Sequence, residues 1–158
     1  MDSTDILIKI RKIVRSINLE SKKIQKEYGV SIPQVLCLNF LKNQSNYQSS
    51  QNEIRKFLNL NSSTVSGIIN RLEKKGLLAR LPRSGDKRIV NIALTDEGFK
   101  LIDSIPFSLH EQLSAKLHDL PEDKIQQIIQ GLDTIINMMN IDKVDASPML
   151  AINIDLEE

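Results

Sequence analysis

Tryptophan is absent, cysteine occurs once, histidine twice, and aromatic residues make up only 4% of the 158 positions. The single thiol, Cys37, excludes an intrachain disulfide. It lies among Val35, Leu36, Leu38 and Phe40. A redox-sensing thiol needs exposure and a positive setting that lowers its pKa, so a packing role is expected here. His110 and His118 have only Glu111 nearby, too few ligands for a tetrahedral metal set. No phosphate-cradling glycine loop and no nucleophile–base pair can be found, so no cofactor and no enzyme are expected. No apolar run approaches the roughly 18–20 residues of a membrane span. The opening MDSTDILIKIRK puts acids before bases, unlike a secretory signal. These absences together predict a soluble, cytoplasmic chain with no membrane partner.

What is present is a segregated charge. Residues 1–49 carry eight bases and four acids, residues 50–90 nine bases and three acids, and residues 91–158 four bases and thirteen acids. The net charge of +1 conceals this division. A basic middle segment with an acidic end points to a polyanion facing the middle.

Periodicity organises the chain as mainly α. Ile6, Leu7, Ile10, Ile13, Val14, Ile17 and Ile24 recur in steps of three and four, predicting a helix over 4–28 that closes at Gly29. Ser31 can cap a second helix bearing Val35, Leu36, Leu38, Phe40 and Leu41, and Asn43–Ser50 reads as a polar loop. Ser50 caps a short third helix with Ile54, Phe57 and Leu58, and Asn59 suits a left-handed turn. A fourth helix follows Asn61 and stops at Gly76. LLARLP and KRIVNIAL then read as two strands joined by Arg83-Ser84-Gly85-Asp86. Thr95 caps a helix expected to run to His118 with a bend at Pro106, and Pro121 opens a last one ending at Met139. Residues 140–158 read as an acidic C-terminal tail.

Two short helices across a tight turn, followed by two strands, make a winged helix-turn-helix over 30–98. On the fourth helix Val65, Ile68, Ile69 and Leu72 share one face. The opposite face carries Ser63, Gly67, Asn70 and Lys74, flanked by Thr64, Ser66 and Arg71, with Ser62 at its start. Small polar groups there can reach base edges, Asn70 can pair with adenine, and Arg71 and Lys74 can meet phosphate. Gly67 costs roughly 1 kcal/mol against alanine, repaid by close approach either to DNA or to protein. Arg83, Lys87 and Arg88 at the hairpin tip suit the electronegative minor groove, and Asp86 among them is expected to pair with a neighbouring arginine.

The run from Ser63 to Gly98 resembles the recognition helix and wing of the MarR family of bacterial regulators. Its most specific part is Asp86-x-Arg88 followed by Leu94-Thr95-x-x-Gly98. SIPQVLCLNFL, Ser31–Leu41, resembles that family's second helix. The likeness extends over about residues 5–139. It implies an intertwined two-fold dimer whose helices at 4–28 and 99–139 pair across the axis, with a pocket that often takes a small molecule. It further implies that Ser63, Thr64, Ser66 and Asn70 face bases and that Arg88 serves the wing. Gly67 departs from the family's frequent arginine, Arg55 from a usually small residue, and Phe57 from a usually polar one.

The expected function is a sequence-specific regulator, a repressor, acting on double-stranded DNA as a homodimer and released by a small-molecule effector. Its dimer surface is expected to use Ile6, Ile10, Ile13 and Ile17 with Ile125, Ile128, Leu132 and Ile135. Two other readings fit the same fold: a winged-helix protein-interaction module, and a sequence-blind architectural DNA-binding protein.

Overall fold

The computed structural model describes residues 2–83, 85–106 and 109–143. It opens with α1, Ser3–Tyr28, a helix about 39 Å long at 1.5 Å per residue. Asp2 caps its start by accepting from the Thr4 N–H at 2.9 Å, and Gly29 ends it with φ +69. Helix α2, Ile32–Lys42, begins in a capping box. The Gln34 N–H donates to Ser31 Oγ, and the Ser31 N–H donates to Gln34 Oε1. Asn59, at φ 51, makes the left-handed turn between α3, Gln51–Leu58, and α4, Ser62–Lys74. Asn61 caps α4 by accepting from the Thr64 N–H at 2.8 Å.

The core lies beneath the helix-turn-helix. Leu38 and Leu41 of α2, Ile54 and Leu58 of α3, and Val65, Ile68, Ile69 and Leu72 of α4 are fully buried. Each such side chain contributes roughly 1.5–3 kcal/mol by leaving water. The face predicted for α4 is therefore the buried one. Phe57 stacks on Phe40 with ring centroids 4.6 Å apart, which identifies its departure from a polar residue as packing.

Three corrections to the sequence reading concern the sheet and the C-terminal half. The stretch read as a polar loop contains a 3-10 turn, Ser45–Tyr47, and a strand, β1, Gln48–Ser50. The sheet thus has three antiparallel strands in the order β1-β3-β2, with β2 at Leu78–Arg80 and β3 at Asn91–Leu94. Ser49 faces Ile92 across one ladder and Arg80 faces Ile92 across the other. Both predicted strands are shorter than their apolar runs, because the chain leaves the ladder beyond Leu81 and rejoins it at Asn91 to form the wing. Finally, the helix expected from Thr95 to His118 is two helices, α5, Asp96–Ser104, and α6, Leu109–His118. Pro106 lies between them, where a missing donor ends rather than bends the helix. Glu20 of α1 accepts from the Leu109 N–H at the start of α6.

The junction of β3 and α5 explains Thr95-x-x-Gly98. The Thr95 hydroxyl donates to the Gly76 carbonyl at 2.7 Å and accepts from the Gly98 N–H at 3.1 Å. This pulls α5 so close to the end of α4 that a Cβ on Gly98 would stand 2.0 Å from the Leu77 carbonyl oxygen. The last helix, α7, spans Glu122–Met139 and buries none of its residues. Most of the tail read at 140–158 lies outside the described residues.

Candidate nucleic-acid interface

Helix α4 presents its outer face because its inner face is consumed by the core. Ser62, Ser63, Asn70 and Lys74 are exposed, while Thr64, Ser66, Gly67 and Arg71 are half-buried. Ser66 is held from α3: Gln51 Nε2 donates to its Oγ at 2.9 Å. Gly67 is not required by packing within the chain, since a Cβ there would meet only Arg71 Nη1 at 3.7 Å. Asn70 is engaged from the sheet, where Arg80 Nη2 donates to its Oδ1 at 2.6 Å.

The described wing residues, 81–83 and 85–90, form a hydrogen-bonded excursion. The Leu81 N–H donates to the Asn91 carbonyl at 2.9 Å, and the Ile89 N–H donates to the Asp86 carbonyl at 3.1 Å. Gly85 turns the tip at φ +70. Arg83 Nη1 donates to the Lys87 carbonyl at 2.9 Å. Asp86 accepts from the backbone N–H, Nε and Nη2 of Arg88 at 3.0–3.1 Å, as expected of the acid among those bases. The side chain of Arg88 and its backbone N–H hold the Asp86 carboxyl below its ordinary value of 3.8. With the Arg88 side chain 91% exposed, this pair shapes the wing rather than the core.

Wing and helix-turn-helix meet at a cleft of about 720 Å³, lined by Ser50, Gln51, Asn52, Arg55, Lys56, Ser62 and Arg88 among others. The Gln51 N–H donates to the Val90 carbonyl at 2.8 Å, which ties α3 to the root of the wing. Arg55 turns its Nε to Asn52 Oδ1 at 3.1 Å and joins the cleft wall. Among the described residues, no carboxylate lies in ion-pair range of Lys56, Arg71, Lys74 or Lys87. The face is thus a field of uncompensated cations, interrupted only by carboxylates already paired with arginine or hydroxyl. Of the site residues expected from sequence, Ser62 and Arg88 are brought to one cleft, whereas Arg83 and Lys87 stand apart on the wing. Gln51, Lys56 and Arg80 were not foreseen. Their signal was basic or amide character on neighbouring elements, which a helix-face pattern does not register.

Over residues 30–90 the chain matches the model of the MarR family. Those residues are a MarR-family domain. PecS of Dickeya dadantii is 48% identical over 59 residues, which are 37% of this chain and 36% of that protein. MdtR of Bacillus subtilis is 30% identical over 95 residues, 60% of each chain. The matched stretches therefore span about a third and three-fifths of these relatives. Among solved structures, the S. aureus MepR–DNA complex superposes with a TM-score of 0.63 at 24% identity, covering 83% of this chain and 96% of that one. This MarR-family domain contains both the α4 face and the wing.

Elsewhere, Cys37 is fully buried, and burial pushes its thiol up to about 12. It is a neutral core group at physiological pH. No group of three or more metal-ligating side chains occurs among the described residues, and no described helix is long and apolar enough to cross a membrane.

Proposed function

We propose that the protein is a transcription regulator that binds double-stranded DNA sequence-specifically as a homodimer, represses, and is released by a small-molecule effector. The observation that carries this reading is the exposed face of α4, with Lys56, Arg71 and Lys74 free of carboxylate partners, beside a wing that carries Arg83, Lys87 and Arg88. A helix placed so can lie in a major groove while Arg83, Lys87 and Arg88 approach the flanking minor groove. Lys56, Arg71 and Lys74 would neutralise phosphates. The names of the relatives support it: PecS is a transcriptional regulator and MdtR a transcriptional repressor. MepR was solved on DNA.

Homodimerisation is supported by apolar side chains left in solvent on both terminal helices. Ile6 and Ile13 of α1 and Ile128 and Leu132 of α7 are exposed, and Ile10, Ile17, Ile125 and Ile135 beside them are only half-buried. The effector is supported by a second cleft of about 320 Å³ between α1 and the α5–α6 junction, lined by Leu19, Ile24, Tyr28, Ile105 and Leu109 with Glu20 and Lys23. A ligand there acts only if it binds one separation of the two reading helices more tightly than the other.

The test is retention of a random duplex library by purified protein at two salt concentrations, followed by sequencing. A near-palindrome with half-sites about one helical turn apart, weakened by salt, is the expected result. Salt-dependent retention without an enriched sequence would make the protein architectural. No retention at either salt would leave a protein-interaction module.

A further inference from the structure

We infer that Asn70 is held as a hydrogen-bond donor by Arg80 and therefore reads guanine rather than adenine. The inference rests on the DNA-binding function proposed above. Arg80 spans from the sheet to α4: Nη2 donates to Asn70 Oδ1 at 2.6 Å, and Nη1 donates to Glu73 Oε1 at 2.7 Å. The Arg80 backbone N–H donates to the other oxygen of Glu73 at 3.2 Å. Glu73 thus anchors the guanidinium at both ends of the side chain and balances its charge.

A guanidinium has donors only, so the amide atom facing it is the oxygen. That bond sets the orientation of the Asn70 carboxamide and leaves both Nδ2 hydrogens for an outside partner. Adenine recognition by asparagine needs the amide oxygen to accept from the adenine N6 amino group while Nδ2 donates to N7. Here the oxygen already takes a charge-assisted bond, and the approaching amino hydrogens would meet a cation. Guanine presents two acceptors, N7 and O6, to the same groove. A donor amide backed by a guanidinium matches them. Gly67 precedes Asn70 by three residues on the same helix face, and it adds no side chain beside the amide, where a Cβ would meet only Arg71 Nη1 at 3.7 Å.

The test is the same library selection run with the wild type, Asn70→Ala and Arg80→Met. The wild type should select guanine at one position per half-site, by about ten-fold over adenine. Asn70→Ala should lose that preference there and keep the others. Arg80→Met frees the amide oxygen, so the same position should shift toward adenine. Adenine at the Asn70-dependent position in the wild type would overturn the inference, as would the absence of any such position. An unchanged guanine preference in a folded Arg80→Met would overturn it too. If melting shows that Arg80→Met does not fold, the wild type against Asn70→Ala decides alone. A motif with the wrong base defeats only this inference, whereas no enriched motif in the wild type defeats the proposed regulator and this inference with it.

Discussion

Gly67 and Gly98 both lie in helices, yet a Cβ at the two positions would meet opposite surroundings. At Gly98 it would collide with the Leu77 carbonyl and with Leu94 Cδ1 at 2.7 Å, both fixed by the β3–α5 junction. Gly98→Ala should destabilise the protein by about 1–3 kcal/mol, as overpacking does. Urea unfolding measures this, and an unchanged midpoint would contradict the close approach. At Gly67 nothing in the chain objects, so Gly67→Ala should raise stability by up to about 1 kcal/mol through helix propensity. If the α4 backbone approaches DNA there, the same variant should bind operator more weakly. A more stable variant with undiminished affinity would show that this position faces open solvent in the complex.

At the scale of the element, the wing is maintained by local bonds rather than by burial. Its acid–base pair has a defined pH response. Because Arg88 depresses the Asp86 carboxyl in the folded state, the stabilisation is fully present above the ordinary value of 3.8 and is lost as pH falls through the lower folded value. Near neutrality the wing should be insensitive to pH. Asp86→Asn removes the charge pair at every pH. It should speed amide hydrogen exchange at Arg88, whose N–H bonds to that carboxylate. Operator affinity should drop while the melting temperature barely moves, since exposed pairs add little to global stability. Unaltered exchange at Arg88 would mean that the wing keeps its shape by other bonds.

On the whole-molecule scale the structure is lopsided: the central domain is packed and the terminal helices are not. Leu132 is 51% exposed and Ile128 40%, on a helix with no buried residue. Apolar surface of this kind fits the proposed dimer, in which a two-fold partner would cover α1 and α7 together. Introducing Ile128→Glu with Leu132→Glu should give a monomer or an insoluble chain by size-exclusion chromatography with light scattering. A soluble dimer of that double variant would remove α7 from the interface.

Local rules were enough for much of this. The periodic stripes of α1, α4 and α7, the caps Ser31, Ser50 and Thr95, and the turn at Asn59 each follow from side chains a few residues apart. The outward residues of α4 followed as well, because the 3.6-residue period assigns both faces at once. Strand β1 did not, since three polar residues carry no alternation and pair only because β3 lies beside them. The break at Pro106 was visible as a proline, but whether it bends or ends a helix depends on what α6 docks against. Arg80 was legible as a strand residue and as a charge. Its grip on Asn70 and Glu73 arises only when β2 folds back along α4. The elements and the outward face of α4 were legible before folding, because short-range periodicity and capping set them. How that face is held was not legible, because its partners come from other elements and meet only through folding.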